Sequence, residues 1–247
     1  MFIDAHNHLD FYEDNLDTAI EMINQHKIIT LGCAMDEESY LFTKQLSINN
    51  PNIIPCFGVH PWKAYDISKD IDRFEEYIKT SKVIGEIGLD YYWITDKNQY
   101  PIMRKVFNYF LEKASQYNKI TNIHTKGAEF EILEGIKKYN LINPIIHWYS
   151  GPWDVLKSLL DYGCYFTISV DIKTSQLTKE IVKMIPLSRL LTETDGPTSL
   201  KWVNGEYGYP VEVINIVKEI SFIKKIPYEQ VKYEISNNFK LITKVKA

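Results

Sequence analysis

A chain of 247 residues, 45% hydrophobic and 24% charged, has the makeup of a globular protein with a substantial core in one domain or two. Its net charge of −4 supplies no global basic field, which argues against a dedicated nucleic-acid-binding module but leaves room for an enzyme that acts on nucleic acid. Cys33, Cys56 and Cys164 are far apart and each lies in an apolar run, the pattern of buried thiols in a reducing compartment rather than of a disulfide framework or a zinc ribbon. The opening residues carry neither a basic nor an apolar leader segment and no run is long enough to span a membrane, so a cytoplasmic location is expected.

Short apolar runs alternate with longer amphipathic ones. Strands are expected at Phe2 to His6, Ile28 to Ala34, Ile53 to Phe57 and Val83 to Ile87, then at Thr121 to His124, Pro144 to His147, Cys164 to Ser169 and Leu190 to Thr194. Between them, Phe107, Phe110, Leu111 and Ala114 recur at helical spacing, as do Val213, Ile216, Val217 and Ile220. Some thirty residues per β-α step, taken eight times, predict an α/β fold of the (β/α)8 TIM-barrel class, with an open doubly wound sheet as the alternative. No linker, repeat or low-complexity tract interrupts the chain, so residues 1–247 are expected to form a single domain.

The reactive residue types fall at strand ends. His6 and His8 close the first strand, and in an extended segment their i, i+2 spacing puts both imidazoles on one face. His60 follows the third strand, Glu86 lies late in the fourth, His124 ends the fifth, His147 the sixth, and Asp195 follows the eighth. In a barrel these ends converge on one mouth, where active sites are built. His26, late in a helix, reads as an ordinary helix-end residue. His6, His8, His124 and His147 with Glu86 and Asp195 make a mixed nitrogen and oxygen donor set that suits divalent Zn, Mn, Ni, Co or Fe, or Mg if carboxylate dominates. Six ligands exceed the need of one tetrahedral ion, so two ions sharing a carboxylate are expected. Such a pair, about 3.5–4 Å apart, can hold a hydroxide between them for hydrolysis. Each residue also has a plain structural reading: core imidazoles satisfied by hydrogen bonds, a strand-end Glu86, a turn-forming Asp195 before Gly196-Pro197.

The motifs DAHNH, GVHP, GEIGLD, IHTKGA, IIHWYSG, LLTETDGP and NNF, in that order from Asp4 to about Asn238, resemble those of the TatD-type metal-dependent deoxyribonucleases of the amidohydrolase superfamily. The resemblance implies a TIM barrel with a two-metal site that hydrolyses DNA phosphodiesters, best known as a 3′-to-5′ exonuclease acting on single-stranded or frayed ends. It implies that His6, His8, Glu86 and Asp195 hold one ion and that Glu86, His124 and His147 hold the other, with Asp195 also orienting or deprotonating the attacking water. Glu193, two residues before Asp195, is expected either to support a ligand from behind or to form a salt bridge. His60 is placed near the site as a phosphate contact or as a turn histidine fixed by Pro61. Lys126 stands where the family usually has arginine, keeping the charge but losing the bidentate fork. Asn237 and Asn238 are expected to hold a loop or helix start through side-chain bonds.

The chain departs from the family pattern after Asp195. An arginine-bearing segment is replaced by residues 198–210, which carry Trp202, Tyr207 and Tyr209, and Trp148 and Tyr149 follow His147. These aromatics could stack unpaired bases, close a hydrophobic lid or contact a protein. The departures are similar to the TatD-like nuclease of a Qat-type anti-phage defence cassette, which would imply protein partners. Two other functions share the pattern: hydrolysis of a lactone, amide, phosphotriester or aminoacyl ester on the same barrel, and a non-enzymatic, metal-stabilised partner in an assembly.

Overall fold

The computed structural model describes residues 1–244; the single-domain span expected for 1–247 extends over residues 245–247, which lie outside the described residues. The chain divides into two compact units. One contains Met1–Gly32, Phe42–Ile54 and the chain from Phe166 onward, and the other contains Cys33–Leu41 and Pro55–Tyr165. All eight expected strands form, in chain order: β1 (Phe2–Asn7), β2 (Ile28–Cys33), β3 (Ile53–Cys56), β4 (Val83–Asp90), β5 (Ile120–Lys126), β6 (Ile145–Ile146), β7 (Tyr165–Ile168) and β8 (Leu190–Thr192). Among the described residues, no helix is long and apolar enough to cross a membrane.

In the first unit, β1 runs parallel to β2 with Phe2 opposite Ile28 and Asp4 opposite Thr30. β7 runs parallel to β8, with Phe166 opposite Leu190 and Ile168 opposite Thr192. The end of β1 is tied to the segment after β8 by backbone bonds from Asp195 N to His6 O (2.9 Å) and from His8 N to Gly196 O (3.1 Å). Leu9, Tyr12, Ala19, Ile23 and Ile53 form a buried cluster that Leu16, Ile20, Leu46 and Tyr209 cover. The helix Glu212–Lys224 buries Val213, Ile216, Val217 and Ile220, the stripe its spacing predicts. Asn238, in the helix Tyr228–Thr243, donates to Leu187 O and Leu190 O at 2.8 and 2.9 Å and so holds the loop entering β8.

In the second unit, β4 pairs in parallel with β5, Gly88 opposite His124 and Asp90 opposite Lys126, and β5 pairs with β6. Every residue of β4 is buried, as a strand covered on both faces must be. Its outer support is aromatic: Phe57 lies 5.0 Å from Tyr40, 5.2 Å from Phe74 and 5.9 Å from Phe110, centroid to centroid. The helix Tyr100–Gln116 contributes Phe107, Phe110, Leu111 and Ala114 to this core, again the predicted stripe.

Strand limits differ from the sequence reading where local bonds intervene. β8 ends at Thr192, short of Thr194, because the Thr194 N–H turns to the Asp4 carboxylate instead of continuing a ladder. β6 is only two residues long; Trp148, directly after His147, has φ of 35°, a conformation no strand can hold. β4 runs three residues beyond Ile87, to Asp90. Two registers slip, between Asp4 and Asn7 in β1 and between Ile84 and Ile87 in β4. These are bulges, and each lies where a candidate ligand projects.

The glycines beside Glu86 are required by close backbone approach. A Cβ on Gly88 would fall 2.0 Å from His124 O and 2.8 Å from its carbonyl carbon, and the obstacle is backbone of the paired strand. Gly88→Ala should therefore destabilise the fold by about 2–3 kcal/mol or more, read as a lowered midpoint in urea; an unchanged midpoint would show that β4 and β5 are not packed this closely.

Candidate metal centre

In the first unit, three of the four residues expected to hold one ion, His6, His8 and Asp195, come together. His6 Nε2 is 3.2 Å from His8 Nε2, Asp195 Oδ1 is 3.4 Å from His8 Nε2, and Asp195 Oδ1 is 3.8 Å from His6 Nε2. All three residues are buried. Nitrogen and oxygen ligands about 2.0–2.2 Å from a tetrahedral ion stand about 3.3–3.6 Å apart, so this triangle is the size an ion would need. Two backbone bonds across β1 and the 195–196 segment fix it, and the His8 ring stacks on Phe11 at 5.3 Å. Asp195 adopts φ of 47°, a left-handed conformation that Asp tolerates better than most residues.

Behind the triangle lies a polar network that the sequence reading did not single out. Asp4 accepts from Thr194 N (2.8 Å), Thr194 Oγ1 (2.7 Å) and Asn7 Nδ2 (3.0 Å), and Asn7 Nδ2 also reaches Tyr12 Oη and Thr194 Oγ1. Burial pushes the Asp4 carboxyl up to about 7, against the pull of the Thr194 and Asn7 hydrogen bonds. The signal available in sequence was an Asp two residues before H-x-H, and nothing in it named Thr194 as its partner. Glu193 is fully buried, and its backbone N–H donates to Ile168 O.

In the second unit Glu86 Oε1 is the centre. His124 Nδ1 lies 2.8 Å from it, His147 Nε2 3.4 Å and His60 Nε2 3.5 Å. The β4 bulge and the bonds from Gly85 N to Phe57 O and from Glu86 N to Ala34 O set the carboxylate there. His60, Glu86 and His124 bring their donor atoms within 4.8 Å of one another. The backbone N–H of Trp62 donates to His60 Nδ1 at 3.2 Å, which leaves the proton of a neutral ring on Nε2, facing Glu86. His60 is therefore a turn residue whose Nε2 faces the Glu86 carboxylate. His124 is bonded on both nitrogens, to Glu86 and, through Nε2 at 3.0 Å, to Asp90 Oδ2. Burial opposes the imidazolium, but the Asp90 and Glu86 carboxylates outweigh it and raise its pKa.

The donor chemistry of both clusters fits a divalent cation. Carboxylate oxygens and imidazole nitrogens converge in buried space, and a cation or an extra proton must satisfy them there.

Other expected site residues make contacts outside the two clusters. Lys126 Nζ donates to Trp148 O (3.0 Å) and Ser150 Oγ (2.9 Å) and sits 5.6 Å over the Trp148 ring. Tyr207 donates to Tyr12 O and Tyr209 to Asn15 Oδ1, and both rings pack on Tyr12. Trp202, in the helix Thr198–Asn204, is 64% exposed. The three aromatics thus divide: Tyr207 and Tyr209 are anchored, Trp202 is not.

The profile of the TatD related DNase family matches residues 3–244. The chain belongs to that family. It is 30% identical over 243 residues to an uncharacterized metal-dependent hydrolase of Methanocaldococcus jannaschii, covering 96% of this chain and 94% of the relative. It is 27% identical to the uncharacterized metal-dependent hydrolase YabD of Bacillus subtilis, over 99% of this chain and all of that one. Among solved structures it resembles the TatD homologue YJJV of Escherichia coli K12 (TM-score 0.87, 21% identity, 99% and 98% covered). It also resembles a TatD family hydrolase of Entamoeba histolytica (TM-score 0.81, 20% identity, 98% and 97% covered). The fold class is accordingly α/β, the (β/α)8 barrel type, and the TatD chain is a metal-dependent hydrolase.

Thr194→Val keeps the shape of the residue but removes the hydroxyl between Asp4 and Asn7, taking a hydrogen bond from each of two buried polar groups. It should cost about 1–3 kcal/mol in chemical unfolding of the metal-free protein. No change would show that the Asp4 network does not hold the 193–195 segment.

Proposed function

We propose that the protein is a deoxyribonuclease that hydrolyses DNA phosphodiesters from single-stranded or frayed 3′ ends with two divalent ions, one per cluster. The observation that carries this reading is the buried triangle of His6 Nε2, His8 Nε2 and Asp195 Oδ1 with edges of 3.2, 3.4 and 3.8 Å. His6, His8 and Asp195 would hold one ion, and Glu86, His124 and His147 the other. Bound divalent ions supply Lewis-acid activation of water and neutralise charge at the scissile phosphate. Asp195 orients the attacking water and accepts its proton. His60 presents Nε2–H as a donor to a phosphate oxygen, and Lys126 adds a positive charge near Trp148. The family name supports DNA as the substrate.

Chelation should abolish hydrolysis of both single-stranded DNA and a chromogenic diester, and Mg, Mn or Zn ions should restore it; full activity in metal-free protein would overturn the reading. A lactone panel run beside these substrates tests the competing hydrolase chemistries. Asp195→Asn keeps the turn but loses the charge and the proton acceptor. It should lower turnover at least about 10²-fold with the metal-free melting temperature unchanged, and a stable variant retaining most turnover would reduce Asp195 to a turn residue.

The aromatic segment makes a separable claim. Trp202→Ala should weaken binding of single-stranded DNA by about 1–3 kcal/mol without loss of stability. Tyr209→Ala should instead lower the melting temperature, because Tyr209 covers the Leu9–Tyr12 cluster. Unchanged DNA binding in Trp202→Ala would leave that ring to a lid or a protein contact.

A further inference from the structure

Asp90 lies outside both candidate ligand clusters, yet it is fully buried and takes four hydrogen bonds. Oδ1 accepts from the backbone N–H groups of Tyr92 (3.0 Å) and Trp93 (2.7 Å). Oδ2 accepts from the Trp62 indole at 2.9 Å and lies 3.0 Å from His124 Nε2. Its two oxygens therefore have separate duties, Oδ1 toward the backbone of the 92–93 loop and Oδ2 toward the Trp62 and His124 rings.

We infer that Asp90 is a positioning residue that sets which nitrogen of His124 is available to an ion. With Nε2–H donated to Asp90 Oδ2, the nitrogen left for an ion is Nδ1, 2.8 Å from Glu86 Oε1. His124 and Glu86 then offer two donor atoms to one point. Without Asp90 the ring is free to take the other tautomer, with a proton between Nδ1 and Glu86 where an ion would sit. Asp90 also ties this choice to the adjoining loops. The indole of Trp62 and the backbone of the 92–93 segment hang on the same carboxylate.

The inference rests on His124 being a ligand, as proposed above, but not on the nature of the substrate. Asp90→Asn tests it. The backbone donors of Tyr92 and Trp93 hold the amide oxygen at the Oδ1 position, which puts the amide nitrogen in place of Oδ2, facing His124 Nε2 as a donor. The ring should respond by moving its proton to Nδ1.

The readout is the ring nitrogen spectrum of ¹⁵N-labelled full-length protein, metal-free and titrated with Zn²⁺. Wild-type His124 is expected to show Nε2–H throughout and a zinc-induced shift at Nδ1. In Asp90→Asn the proton should appear on Nδ1, and half-saturation by Zn²⁺, followed on the same ring, should move to about 10- to 100-fold higher concentration. Trp62→Phe, which removes a donor from the same oxygen but leaves the charge, should keep the wild-type tautomer. Zinc on Nε2 of wild-type His124, an unshifted ring, or an unchanged tautomer and affinity in Asp90→Asn would each overturn the inference. The wild-type spectrum decides the question even if the variant does not fold. Absence of nuclease activity with the expected tautomer and zinc shift would instead remove the nuclease reading and leave this one standing.

Discussion

Removing a carboxylate or an imidazole from water costs several kcal/mol unless a group of opposite character meets it. This chain buries many such groups, and most of its local irregularities answer that cost. Asp4 is met by three donors from Asn7 and Thr194. Asp90 is met by four, and Glu86 faces three imidazoles. The register slips in β1 and β4 turn the strand backbone so that these meetings occur, at the expense of regular ladder bonds. Apolar packing, supplied by the Phe57 aromatic cluster in one unit and the Leu9–Tyr12 cluster in the other, makes such burial possible. The polar contacts decide where each chain segment must lie once buried.

What could be read from the sequence follows from which signals are local. The i, i+2 spacing of His6 and His8 and the strand-end placement of Glu86, His124, His147 and Asp195 are local, and the clusters assemble from those residues. The helical stripes at Phe107–Ala114 and Val213–Ile220 are equally local and bury the expected side chains. Asp90 was visible within GEIGLD but silent, because a carboxylate in a sequence does not announce the four donors that converge on it from β5 and two loops. Asp4 was silent for the same reason: its chief partner, Thr194, is 190 residues away. The aromatic segment was legible as aromatic but not as divided, since only the packing against Tyr12 separates Tyr207 and Tyr209 from the exposed Trp202.

The two clusters are stabilised differently, and this bears on how each would respond to an ion. The His6, His8 and Asp195 triangle is held mainly from the backbone, by the bonds that tie β1 to the 195–196 segment. Its side chains already stand at ligand-like separations. The Glu86 carboxylate is set by backbone bonds too, but its cluster adds side-chain pairing, with His124 at direct hydrogen-bonding distance and His147 and His60 further out. An ion entering the first would find its ligands nearly placed, while one entering the second would have to part the His124–Glu86 pair.

The indole of Trp62 has a practical consequence. It is one of five tryptophans in the chain, and it donates its ring proton to the carboxylate that also holds His124, while 40% of the residue remains open to solvent. Indole emission depends on the charges close to the ring, so this side chain is a built-in optical gauge of the charge state of its own cluster. A chain in which the other four tryptophans are exchanged for phenylalanine would carry that gauge as its sole emitter at red-edge excitation. Events at His124 could then be followed in real time with no label attached.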